Sequence, residues 1–143
     1  MEDLGPNTVK LTIPSNPKFL GIVRNLISEV SSQMKFPGNL VKKISLAVDE
    51  ACTNVIKHAY QGDWTKQIVV NCTTYDDRLE VSIRDFGKKA APEAFKPRKL
   101  DEVRPGGLGI FFIREIMDEV TYDTSQSVGT ELRLVKYKPG VAR

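Results

Sequence analysis

Two runs of strict alternation, separated by two acidic residues, constrain this chain more than any other feature. Between Gln67 and Tyr75, Ile68, Val70 and Cys72 fall on one face; between Arg78 and Asp85, Leu79, Val81 and Ile83 do the same. Period-two runs joined by a short turn such as Asp76-Asp77 predict an antiparallel hairpin with one apolar face. Such a face needs a second layer.

The remaining periodicities supply one. Thr8 to Ile13 alternates Val9, Leu11 and Ile13 against polar residues, and Pro14 stops the strand. Ser15 or Asn16 can cap a helix carrying Phe19, Leu20, Val23, Leu26, Ile27 and Val30 at helical spacing, with Pro17 in its first turn. Pro37-Gly38 breaks that helix, and a second is expected from about Asn39 to Tyr60, ended by Gln61-Gly62-Asp63. From Gly87 to Pro105 no apolar period appears, while Lys88, Lys89, Lys96, Arg98, Lys99 and Arg104 accumulate among prolines. Structureless stretches of this length are often binding loops or lids. A glycine cluster then opens a helix over Leu108 to Met117, and Val120 to Asp123 with Thr130 to Tyr137 forms a closing hairpin. The order β-α-α-β-β-loop-α-β-β predicts an α+β two-layer sandwich, with a mixed, mostly antiparallel sheet covered on one face by about three helices. One domain accounts for residues 1–143.

Composition narrows the class further. The chain has 143 residues, 41% of them hydrophobic, and a formal net charge of +3 with acids and bases interspersed. That balance gives no basic patch for nucleic acid and no electrostatic attraction to a membrane surface. No apolar run approaches the roughly 20 residues that span a bilayer, and no secretory leader is visible. Cys52 and Cys72 show no framework spacing and read as reduced, buried thiols of a cytoplasmic protein.

Chemistry-bearing residues gather at element ends. On the second helix, Leu40, Ile44, Ala47, Val48, Ala51, Val55 and Ala59 share a core face, and Glu50 and Asn54 lie one turn apart along its edge, continued by Lys57 and Gln61. An ordinary solvated helix edge would look the same. The alternative is chemical: an amide oxygen is a hard ligand for Mg2+ beside phosphates, and a carboxylate one turn away can accept a hydroxyl proton. Asp85-Phe86-Gly87 ends a strand, where a carboxylate can take the exocyclic amine of adenine and a glycine admits the base. The same letters mark eukaryotic-type protein kinases, but the Val-Ala-Ile-Lys strand and His-Arg-Asp loop are absent. Gly106-Gly107-Leu108-Gly109 precedes a helix, and free N–H groups there make an anion site. It is neither a Rossmann turn, which needs a strand directly before the glycines, nor a Walker A loop, which needs Gly-Lys-Ser/Thr. Gly129-Thr130 opens the last strand, and its hydroxyl can support the adenine end directly or through water.

Taken in order, Asp49-Glu50-Ala51-Cys52-Thr53-Asn54, Asp85-x-Gly87, Gly107-x-Gly109 and Gly129-Thr130 resemble the four nucleotide-binding boxes of the GHKL ATPases, which share the Bergerat, histidine-kinase-like fold. The phrases Asp49 to Tyr60, Gly106 to Ile110 and Ile113 to Val120 look most like the anti-sigma-factor serine/threonine kinases. The resemblance covers nearly the whole chain.

It implies Glu50 as the catalytic carboxylate that orients or deprotonates the attacking serine. It implies Asn54 as the Mg2+ ligand, Asp85 as the adenine acceptor supported by Gly87 and Thr130, and Gly106, Gly107, Leu108 and Gly109 as the phosphate cradle. Residues of about 87–105 would form a lid over ATP or ADP, with Arg104 as a candidate γ-phosphate contact. His58, the only histidine, looks like a helix-end structural residue. Lys89 departs from the pattern, since many relatives carry glycine there. The implied partners are a sigma factor, which is sequestered, and a small anti-anti-sigma protein, which is phosphorylated on Ser or Thr; a homodimer is implied as well. A switch kinase controlling a phosphatase and a non-catalytic ATP-binding module are the competing functions.

Overall fold

The structure is a computed structural model of the chain, and it describes residues 4–89 and 107–141. Five strands, β1 (Thr8–Pro14), β2 (Gln67–Thr74), β3 (Arg78–Asp85), β4 (Glu119–Asp123) and β5 (Thr130–Tyr137), form one sheet in the order β1-β2-β3-β5-β4. Every described pairing is antiparallel. The parallel component expected of a mixed sheet is not among them, for a topological reason. Strand β4 runs parallel to β3, but β5 returns through a hairpin and inserts between the two.

Three helices, α1 (Leu20–Gln33), α2 (Gly38–Asn54) and α3 (Gly107–Ile116), lie on one face of the sheet. Local features set several of their ends. Asn16 accepts the Lys18 N–H at 3.0 Å at the head of a 3-10 turn, Pro17–Phe19, that leads into α1. The chain leaves α1 through Lys35 in the left-handed region (φ 65°), and the Phe36 N–H returns to the Ser31 carbonyl at 3.2 Å. Pro37 caps α2 in an extended conformation, and its fixed φ suits that position.

The core lies between the sheet and the helices. Val23, Ile27, Ile44, Val48, Ile68, Val70, Leu79, Val81, Ile83, Ile113 and Leu134 are all buried there. Burying one such side chain is worth about 1.5–3 kcal/mol, so this layer is what fixes the strand ends in place. Helix α2 buries more of its circumference than its expected face. Val41, Ser45 and Cys52 are buried along with Ile44, Ala47, Val48 and Ala51, because α1 and α3 flank it as well as the sheet. Cys52 and Cys72 are both free and buried, and burial pushes each thiol up to about 12.

Candidate active site

The long helix expected from Asn39 to Tyr60 changes character after Asn54. Val55–Ala59 forms a π turn, closed by the Tyr60 N–H donating to the Val55 carbonyl at 2.9 Å and capped by the Gly62 N–H donating to the Ile56 carbonyl at 2.8 Å. Single π turns inside helices often occur at functional sites. Here the wider turn moves Gln61 off the helix altogether (φ 51°), so the expected edge of Glu50, Asn54, Lys57 and Gln61 does not continue past Lys57. It also aims the Ala59 carbonyl at the end of β3, where the Lys88 N–H donates to it at 2.9 Å.

Glu50 and Asn54 remain half-buried on the last turns of α2. Neighbouring Asp49 is engaged by Arg24 at 2.7 Å, on the α1 side. Facing Glu50 and Asn54 is the first turn of α3. A Cβ added at Gly109 would lie 2.9 Å from Glu50 Oε2, 3.2 Å from Asn54 Nδ2 and 3.4 Å from Asn54 Oδ1. The helix N-terminus approaches the carboxylate and the amide this closely only because the residue is glycine. Gly107 and Leu108 belong to the same turn. Arg104, Gly106 and most of the expected lid lie outside the described residues.

The second group of residues is at the end of β3. Asp85 is 5% exposed. Its Oδ1 accepts the Gly87 N–H at 3.0 Å, and the Thr130 backbone amide also hydrogen-bonds to the carboxylate. Burial raises its pKa, while these amides and the Arg84 charge pull the other way. An ionised carboxylate has about four acceptor sites, so capacity remains for a further donor. Gly87 is packed under the end of the π turn: an added Cβ would lie 2.7 Å from the Ala59 carbonyl carbon and 2.8 Å from Tyr60 Cδ1. Tyr60 joins the two segments, accepting the Phe86 N–H at 2.9 Å and donating to the Gln67 carbonyl. Burial raises the Tyr60 hydroxyl's pKa. Thr130 is buried beside Asp85, its register partner.

The sequence missed Tyr60 and the π turn. It named Lys89 among the basic residues of the loop and as a departure from the family pattern, and in the structure its Nζ donates to the Thr124 carbonyl at 2.7 Å, linking the start of the loop after β3 to the β4–β5 turn. His58 is exposed on the π turn. Among the described residues no cluster of His, Cys, Asp or Glu could hold a metal by itself. The Asn54 amide oxygen could offer a cation one hard ligand, which suits Mg2+, since it usually keeps phosphates and waters in its shell.

Comparison with known proteins agrees with this geometry. The family description "Histidine kinase-like ATPase domain" matches residues 13–136. The chain is 30% identical over 140 residues to the serine-protein kinase RsbW of Bacillus subtilis, covering 92% of this chain and 86% of that protein. It is 30% identical to RsbW of Halalkalibacterium halodurans (92% and 84% covered) and 34% identical to RsbW of Listeria monocytogenes (84% and 83% covered). The solved structure of the RsbU and RsbW domains of Rv1364c from Mycobacterium tuberculosis superposes with a TM-score of 0.66 at 18% identity, covering 96% of this chain and 35% of that one. A blue-light activated histidine kinase of Erythrobacter litoralis superposes at 0.58 and 18% identity, covering 87% of this chain and 42% of that one. These last two speak to the fold. With the family match spanning the α2, β3, α3 and β5 segments that carry the site, the chain belongs to the histidine kinase-like ATPase domain family, among its RsbW-type serine-protein kinases.

Proposed function

We propose that this serine-protein kinase works as an anti-sigma factor, transferring the γ-phosphoryl group of ATP to a serine of a small anti-anti-sigma protein, with Glu50 as the proton acceptor. The observation that carries the assignment is the approach of Gly109 to Glu50 and Asn54. It puts a carboxylate, an amide and a helix N-terminus at one place, and phosphoryl transfer asks for little more than such positioning and charge compensation.

In this reading the backbone amides of the first turn of α3 hold phosphate oxygens. Asn54 would hold Mg2+, which supplies charge neutralisation on the phosphates when bound. The Glu50 carboxylate accepts the serine hydroxyl proton as that oxygen attacks. At the other end, the buried Asp85 carboxylate accepts the adenine amine, and Gly87 and Thr130 shape the pocket around it. Arg104 and Gly106 are retained as phosphate contacts by resemblance alone. Sequestration of a sigma factor, a homodimeric state and a cytoplasmic location are proposed from the RsbW relatives. Among the described residues no helix is long and apolar enough to cross a membrane.

Glu50→Gln tests the central role. The variant should bind ATP as the parent does and lose phosphoryl transfer by about 100-fold or more, the usual scale for a positioned base. Transfer at the parental rate would remove Glu50 from the mechanism. The switch-kinase and binding-module alternatives have no observation of their own in the structure.

A further inference from the structure

The residue before Asp85 points to the opposite side of the sheet and clamps the two strand ends that frame the adenine site. Arg84 alternates with Asp85 on β3, so its side chain leaves the face away from the helices. There the guanidinium turns along β5. Its Nη1 donates to the Asp85 carbonyl and lies 3.4 Å from the Thr130 carbonyl, and its Nη2 donates to the Val128 carbonyl at 2.7 Å. The same group sits over the Phe86 ring, 4.5 Å from its centroid. One planar fork thus meets three carbonyls and an aromatic face, as a guanidinium can and an ammonium cannot.

Gly129 makes this clamp possible. Its φ of 76° is in the left-handed region, and a Cβ there would lie 2.7 Å from Arg84 Nη1 and 2.7 Å from the Asp85 carbonyl carbon. The glycine of the Gly129-Thr130 pair therefore opens the space through which Arg84 reaches the backbone of Asp85.

We infer that Arg84 is a positioning residue for base recognition: from the far side of the sheet it fixes Asp85 and Thr130 relative to each other, and so sets the aim of the carboxylate at the adenine amine without touching the nucleotide. The inference rests on the assignment of Asp85 as the adenine acceptor. Asp85 and Thr130 are the last register pair between β3 and β5, and terminal pairs open most readily. The carboxylate accepts the Gly87 amide from just beyond that pair, and Thr130 faces it across the pair. Losing the clamp frees the two strand ends to separate, and the acceptor loses its direction while the phosphate cradle on α3 is untouched.

The test compares ATP with purine riboside triphosphate, which has the same ribose and phosphates but lacks the 6-amino group. Both are titrated calorimetrically into the full chain and its Arg84→Gln, Arg84→Lys and Asp85→Asn variants, with melting temperatures recorded alongside. Arg84→Gln should weaken ATP by about tenfold, the scale of one hydrogen bond to a charged group put out of line, and the analogue by less than about twofold. Arg84→Lys, which keeps the charge but reaches fewer carbonyls, should fall between. A parallel loss for both nucleotides, or no loss for either, overturns the inference, because a merely structural residue cannot change base discrimination. If Asp85→Asn selectively weakens ATP and Arg84→Gln does not, the clamp alone is refuted. If Asp85→Asn leaves ATP binding unchanged, the adenine assignment itself falls. Should Arg84→Gln fail to fold, Arg84→Lys carries the test, and full retention of the preference for ATP in that variant refutes the clamp.

Discussion

Replacing Gly109 by alanine should separate stability from catalysis. The residue is in the first turn of α3, where alanine is favoured over glycine by up to about 1 kcal/mol, so helix energetics alone would stabilise the variant. The added methyl carbon, however, would lie 2.9 Å from Glu50 Oε2 and 3.2 Å from Asn54 Nδ2. Both are the ends of side chains that can swing, and normal contact near 3.5 Å requires each to retreat by roughly half an ångström. The fold absorbs that easily, and the melting temperature should stay within about 3 °C of the parent or rise. Catalysis should not absorb it, since displacements of about 1 Å at a reacting centre can cost on the order of 100-fold. A decline of about 10- to 100-fold in single-turnover transfer is therefore expected. The assay is quench-flow transfer to the protein substrate at saturating Mg-ATP, paired with thermal melting. Full transfer activity in a well-folded Gly109→Ala protein would refute the claim that Glu50, Asn54 and the head of α3 form one site.

Further outcomes follow from the same structure. Gly87→Ala should destabilise the fold by about 1–3 kcal/mol in denaturant titration, because the new Cβ meets the Ala59 backbone, which cannot swing aside. Acidification should weaken ATP binding beginning above the usual carboxylate range, since burial raises the Asp85 pKa and protonation removes the charge that strengthens its hydrogen bond from the adenine amine. Calorimetry against pH should show this limb, and Asp85→Asn should flatten it. The nucleotide-free protein should show the opposite sign: a raised folded pKa means that the Asp85 contribution to stability is full below its unfolded value and is lost as pH rises through the folded one. Cys52 and Cys72, buried and with pKa near 12, should resist iodoacetamide in the native protein and react only on unfolding, as peptide mapping would reveal.

How much of this could be read from the residues varies by element. The bounds of β3 follow directly from alternation, because the strand buries one face and every second residue reports it. Helix α2 was legible as a helix, and Glu50 with Asn54 as its polar edge. Its ending was not, because a π turn has no propensity signature; it forms here where the Ala59 carbonyl meets Lys88 and Tyr60 bridges to Phe86 and Gln67. Val41 and Ser45 were missed as core for a similar reason. One apolar stripe describes a helix on a sheet, whereas α2 also packs against α1 and α3. Gly87 and Gly109 were recognisable as glycines in a pattern, but what each glycine faces is a tertiary fact. Arg84 gave no signal at all, since a charged residue on the outward face of a strand is what alternation predicts.

The most direct test of the kinase assignment is a capture experiment. The protein is immobilised, lysate of its source organism is passed over it with Mg-ADP or Mg-ATP, and retained and newly phosphorylated proteins are identified by mass spectrometry, with Glu50→Gln as the control. A retained sigma factor is expected, together with a small partner that acquires phosphoserine only with ATP and only with the parental protein. Confirmed ATP binding with no sigma factor retained and no partner phosphorylated would contradict the assignment.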